Sequence, residues 1–387
     1  MVNVVKRHRT ISLPWVLFMS ALLVGCSAND DHGSDQEEHA SSHRSIQLVK
    51  DFEVGTQSDL YFFGAISDIA ADSKGNIYVA DVKNFNIQVF SETGEHLRSI
   101  GEEGRGPSEF KLIWDLEIGD NDILYAFDRG LRRISVFATE DSLRLLRTMA
   151  IPGSRYGGSP NRLWAVHDEG LLISFSVGFS IHDLHDEKRL IVRTLSTDGI
   201  LGDEVLNVLE RDHLVSQSGS NFSVSTTPFG REPVIRTGPD NKIYYGRNDS
   251  LRIGIYSQAG ELLRTIRHDD TIAATVSEEE FARRLKDYRI TDPESIESIP
   301  KTWPIFETFV LDDEGKLWVA INTEEYHGGS LWWVLDQEGR KIAEVTSAEH
   351  VHLKAVRNGH LYGHKVDESG VQSLVQYRIV EESKTGC

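Results

Sequence analysis

Only two cysteines occur in the 387 residues, Cys26 and Cys387. They cannot form a disulfide framework, and no C-x-x-C zinc or redox motif is available. Long apolar runs are missing too. The longest, Ile11–Val24, is shorter than the roughly 20 residues a spanning helix needs. Positive charge is scarce: 41 Lys and Arg stand against 60 Asp and Glu, a formal net charge of −19. A surface that acidic repels phosphate backbones, which argues against nucleic acid as a partner. The chain also lacks a nucleophile elbow, a phosphate loop and a paired zinc motif. What is left is 39% hydrophobic and 26% charged, the composition of a globular protein held by its core.

The short apolar run has a context. Lys6, Arg7, His8 and Arg9 precede it, and Leu23-Val24-Gly25-Cys26 closes it, so residues 1–25 read as an export signal. The closing tetrapeptide resembles a bacterial lipoprotein lipobox. That resemblance implies acylation of Cys26, a partner in the lipid bilayer and a cell-envelope location. Ser27 stands where Asp would direct inner-membrane retention, so the outer membrane is expected in a host that has one. Several acyl chains anchor far more firmly than one. Without residues 1–25, which carry Lys6, Arg7 and Arg9, 38 basic residues face 60 acidic ones, a charge of −22. Residues 26–44 hold almost nothing apolar and read as a flexible tether whose His32, His39 and His43 are solvated. A monomer is expected.

From residue 45 to 380 the chain repeats one pattern. Residues 66–101 (ISDIAADSKGNIYVADVKNFNIQVFSETGEHLRSIG) and 113–149 (IWDLEIGDNDILYAFDRGLRRISVFATEDSLRLLRTM) each hold four short apolar runs separated by turn residues. A fixed period of that kind marks a radial or stacked β array. First runs begin near Ile66, Ile113, Arg162, Pro233, Glu307 and Val351, which makes six units. The expected fold is all-β, a six-bladed β-propeller of four-stranded antiparallel blades. Unit six stops after Ile379 without a fourth run, while SIQLVKDF (45–52) is unassigned. This N-terminal strand is therefore predicted to complete the last blade and close the ring, leaving 381–387 as a tail.

At Ile66–Gly101 the chain resembles the NHL-repeat propellers, through I-x-D-I-A-x-D-x-x-G-N-I-Y-V-A-D followed by N-x-x-I-Q-V-F-x-x-x-G-E-x-L-R-S-I-G. Gly101–Phe110 resembles the G-x-x-G-x-G-P-x-E-F seam of bacterial six-bladed propeller lipoproteins. The resemblance implies a fold and an exported, tethered location. It implies no reaction.

Connections sort by face. First-to-second and third-to-fourth turns, such as DSKGN and SETGE, are tight and rich in Asp, Asn and Gly. The long connections, at 176–189, 206–231 and 267–305, all fall at the opposite ends of the strands. Loops gathered on one face of a rigid array are where binding is built. In the longest insertion, Ser277-Glu278-Glu279-Glu280 reads as a capping box. Phe281, Leu285 and Tyr288 follow at helical spacing, a face expected to pack on the disc, and Pro293 is the expected limit.

First strands of a propeller line its channel. Alignment on the first turn places Asp68, Asp115, Leu163, Val234, Thr308 and His352 at one level, with Asp68, Asp115 and His352 from consecutive blades. These three are the expected metal ligands, for calcium or zinc, although no motif requires a cofactor. Trp114, Asn161, Arg162, Arg231, Glu232, Glu307 and His350 complete the expected ligand-binding mouth. His350 and His352 are read as pointing to opposite faces, which sets the chain apart from the NHL-type amidating lyases. The functional expectation is a membrane-tethered binding or scaffold module, engaging a protein, glycan or small molecule through its loop-rich face. The alternative is a divalent-metal-dependent, lactonase-like hydrolase or lyase at the channel mouth.

Overall fold

Alternating β-branched and aromatic residues between Asp/Gly turns become 26 strands among the residues that the computed structural model describes. It describes residues 45–56, 62–140, 143–153, 158–166, 170–180, 182, 186–218, 221–322 and 329–382. The signal segment, Cys26, the tether and Cys387 lie outside these. Among the described residues no helix is long and apolar enough to cross a membrane.

Six antiparallel sheets of four strands form the blades. Their first strands are Ile66–Ala71, Ile113–Ile118, Ser159–Val166, Pro233–Thr237, Phe306–Leu311 and His352–Arg357. Each touches the first strand of the next blade, and the sixth touches the first, so the ring closes around a channel. The closure is the predicted splice: Ser45–Val54 pairs along Gln372–Glu382 as the outer strand of blade six. A charge network fixes it. Lys50 Nζ reaches Glu349 at 2.7 Å and Glu53 at 3.0 Å, while Lys365 Nζ reaches Glu53 at 2.8 Å and Glu349 at 3.0 Å.

Aliphatic and aromatic side chains on facing sheets bury one another between blades. Trp318, Trp332, Val345 and Leu361 do so between blades five and six. The seam at residues 101–110 has a physical cause. Gly101, at φ 103°, lies under the wholly buried Phe110 ring, where a Cβ would come within 2.5 Å of it. Gly55 and Phe63 repeat the device between blades six and one.

Five of the six first strands carry a bulge near the loop-rich face, at the steps 66/68, 113/115, 160/163, 306/308 and 353/355. A bulge adds a residue and re-aims side chains. Blade four has none.

Two insertions rise on that face. The expected loop 206–231 instead holds a hairpin, His213–Ser218 with Asn221–Thr226. The second insertion carries helices α1 (Glu278–Asp287) and α2 (Pro293–Ser298). Ser277 caps α1 as expected, accepting the Glu280 amide at 3.2 Å. The reciprocal half of the capping box is absent, because the Glu280 carboxylate is taken by Arg283 and Arg284. Pro293 opens α2, where the missing N–H is harmless, and Asp292 caps it. Phe281 and Leu285 pack on a small core of Phe229, Val276 and Ile299, which the two insertions build together. Tyr288 does not join it and is 41% exposed.

Candidate functional site at the channel mouth

A cavity of about 850 Å³ occupies the channel and opens on the loop-rich face, lined by first strands of all six blades. Asp68, Asp115, Trp114, Asn161, Arg162, Glu232, Glu307 and His352 all reach it. A second cavity of about 480 Å³ adjoins under the insertions, lined by Phe229, Arg231, Arg284, Trp303 and His350, with Glu307 and His352 in both.

The acidic half of the mouth stitches blades together. Asp68 accepts the Leu116 amide at 3.0 Å, and Asp115 accepts the Leu163 amide at 3.0 Å and Arg162 Nη1 at 2.5 Å. Burial pushes Asp115 up and the Arg162 charge opposes this. Glu117, two residues on and therefore on the same face, is pushed up to about 8 by burial and by repulsion from Asp68 and Asp115.

The basic half is built around an aromatic ring. Trp114, re-aimed by its bulge, has the guanidinium carbon of Arg129 at 4.8 Å from the ring centroid and that of Arg162 at 5.9 Å. Arg162 is paired with Asp115, and Arg211 with Glu232 at 2.7 Å. Among the described residues, the Arg129 guanidinium makes no hydrogen bond or ion pair. Burial lowers its pKa, as do the like charges of Arg162 and Arg211, against the pull of Asp115. Deeper in the channel, Arg236 bonds Thr308 Oγ1 at 3.0 Å and Lys354 bonds the Ser67 carbonyl at 2.8 Å, both without a carboxylate partner among the described residues.

Blades five and six supply the third group. His352 Nδ1 and Glu307 Oε1 are 2.7 Å apart. His350 lies edge-on to His352 at 4.5 Å between ring centroids, and His364 stacks on it at 4.7 Å. Burial, which would raise Glu307, is outweighed by His352, so the carboxylate is held below its ordinary range. Burial and neighbouring charges push His364 down to about 2.

Two expectations need correction. Asp68, Asp115 and His352 do not converge: among the described residues the gathered His/Asp/Glu trio is Glu307, His350 and His352. The reason is the partner each side chain takes. Asp68 and Asp115 turn to the Leu116 and Leu163 amides of the following blade, whereas His352 turns to Glu307 of the preceding blade. His350 and His352 do not diverge either, since residues two apart in extended chain share a face. Arg231 is a bracket between the insertions, donating to Phe229 O at 2.6 Å and Thr302 O at 3.0 Å.

Sequence reasoning missed Arg129, Arg211, Glu117, Arg236, Lys354 and His364. Period-two counting finds Glu117, Arg236 and Lys354, each two residues beyond a residue already singled out. His364 was visible as a break in the repeat. Counted from the first turn, it stands at the level of the buried apolar residues Ala80 and Phe127.

A family model described as a 6-bladed beta-propeller matches residues 30–156. Among solved structures, the chain is similar to a candidate exported protein from Bacteroides fragilis, at 12% identity, 89% of this chain, 97% of that one and a TM-score of 0.52. It is also similar to a member of the duf4221 family from Bacteroides vulgatus, at 10% identity, 88% and 100% coverage and a TM-score of 0.53. A gluconolactonase from Xanthomonas campestris follows at 14% identity, 87% and 92% coverage and 0.44, too low to carry an argument. These likenesses are of fold. No curated protein matches the chain.

Proposed function

We propose that this six-bladed β-propeller is a cell-envelope binding module, lipid-anchored through Cys26, that captures a small anionic ligand at its channel mouth. The observation that carries the reading is Arg129. Its guanidinium is half-buried, stacked on Trp114 and crowded by two further arginines; Asp115 and Glu210 attract it from a distance, yet among the described residues no carboxylate bonds it. Desolvating a cation without a partner is unfavourable, and a carboxylate or phosphate oxygen relieves it in the bidentate geometry that guanidinium favours. The cavity of about 850 Å³ suits a small molecule. The anchor is supported by the basic segment, the short apolar run and Leu23–Cys26.

Thermal-shift and calorimetric screening of the full chain against carboxylates, uronic acids and sugar phosphates tests the reading. The expected hit binds wild type and is weakened at least tenfold in Arg129→Ala and Trp114→Ala. Binding that both variants retain would refute it. Incorporation of labelled palmitate, lost in Cys26→Ser, tests the anchor.

One observation favours a second reading, a lactonase-like hydrolase: His352 and Glu307 form an acid–base pair opening into the same cavity. It requires turnover of a bound ester or lactone that His352→Gln abolishes.

A further inference from the structure

We propose that Glu307, His350 and His352 form a binding site for a divalent transition-metal ion of the zinc class. One donor atom from each lies within 4.8 Å of the other two. Two imidazoles and a carboxylate form a donor set that zinc accepts with its remaining position open. Tetrahedral bonds of about 2.1 Å put donor atoms about 3.4 Å apart. The His352 Nδ1 and Glu307 Oε1 atoms stand at 2.7 Å, so an entering ion spreads them by less than about 1 Å.

The placement follows from the bulges and the loops. The register step at 306/308 re-aims Glu307 at the mouth, and His350 lies just before the first strand of blade six. Glu307 and His352 line both cavities and His350 lines the second, so an ion has access and its open position faces solvent-accessible space.

His364 is an independent pointer. It is 8% exposed, its Nδ1 has no hydrogen-bond partner, and its ring stacks on His352 at an interplanar angle of 25°. Buried polar atoms are rarely left unpaired without a reason. In blades one and two the same level carries the buried apolar residues Ala80 and Phe127. The repeat thus puts an imidazole in place of an apolar side chain where the strand faces the trio. An imidazole in stacking contact restricts the ring plane of His352. This inference goes beyond the anionic-ligand reading and depends on neither Arg129 nor Trp114.

The test uses the full chain with His32, His39 and His43 changed to Ala, so that N-terminal histidines cannot compete. It is titrated with Co(II) and then with Zn(II). The expected result is one equivalent of Co(II), with the visible absorption of a four- or five-coordinate ion, displaced by Zn(II). Affinity for Co(II) should fall at least tenfold in His350→Ala, His352→Ala and Glu307→Gln, and be unchanged in His96→Ala. Absence of stoichiometric binding, or binding that survives all three substitutions, overturns the site. Should a variant fail to fold by circular dichroism, X-ray absorption at the zinc edge on the loaded chain decides. Two imidazole ligands support the assignment, and any other count overturns it.

Discussion

Asp115 on blade two and Arg162 on blade three meet at 2.5 Å inside the channel, and the same carboxylate holds the Leu163 amide. Asp115 is 3% exposed. One buried group thus joins two blades by a charge and by a backbone bond.

Asp115→Ala leaves a guanidinium and an amide without their acceptor. Removing one partner of a buried pair costs about 3–5 kcal/mol. Arg162 is partly open to channel water, so about 3 kcal/mol is expected. Urea denaturation measures it, and a loss below about 1 kcal/mol would show that water replaces the carboxylate.

Glu117 sets a pH dependence. Its folded-state value of about 8 exceeds the ordinary 4.5, so the folded chain holds the extra proton between them. Its contribution is most favourable below about pH 4.5 and is lost as pH rises towards 8. Glu117→Gln removes that loss. The variant should exceed wild type in stability near pH 8, with the gap closing near pH 5. A gap of equal size at both ends contradicts the assignment.

The splice of the N-terminal strand responds in the opposite sense. Lys50 and Lys365 hold Glu349 at about 2, and Glu53 is lowered by Lys365, Ser373 and Lys50 against its own burial. Carboxylates held low contribute stability above their ordinary 4.5, and it is lost as pH falls towards 2. Glu53→Gln should therefore lower stability by about 1 kcal/mol at neutral pH, with the difference shrinking as pH falls below the ordinary 4.5. Thermal melts across that range measure it.

Deleting residues 45–54 exposes the whole edge of Gln372–Glu382. A lower melting temperature and self-association by light scattering are expected. An unchanged monomer would mean that the ring holds without its splice.

At the rim of the insertions, Ser277→Ala removes the α1 cap seen at 3.2 Å. A cap of this kind is worth about 1 kcal/mol. Local amide exchange over 278–287 should rise while the blades keep their protection.

The sequence by itself determined the blade count, the turns, the splice of residues 45–52 and the Ser277 cap. Each rests on local rules: alternation along a strand, Asp and Gly in tight turns, a hydroxyl three residues before a free amide. It also determined that the long connections share one face, because strand direction fixes which ends they join. Tertiary structure decided which polar side chains meet. Glu307 joins His352 because a bulge re-aims it and because His352 turns to blade five, whereas Asp68 turns to the Leu116 amide of blade two. Contacts of that kind are set by hydrogen bonds and packing between blades, which no single repeat contains. The hairpin at 213–226 and the shared core of Phe229 with Phe281 were hidden for the same reason, since each insertion finds its apolar partner in the other.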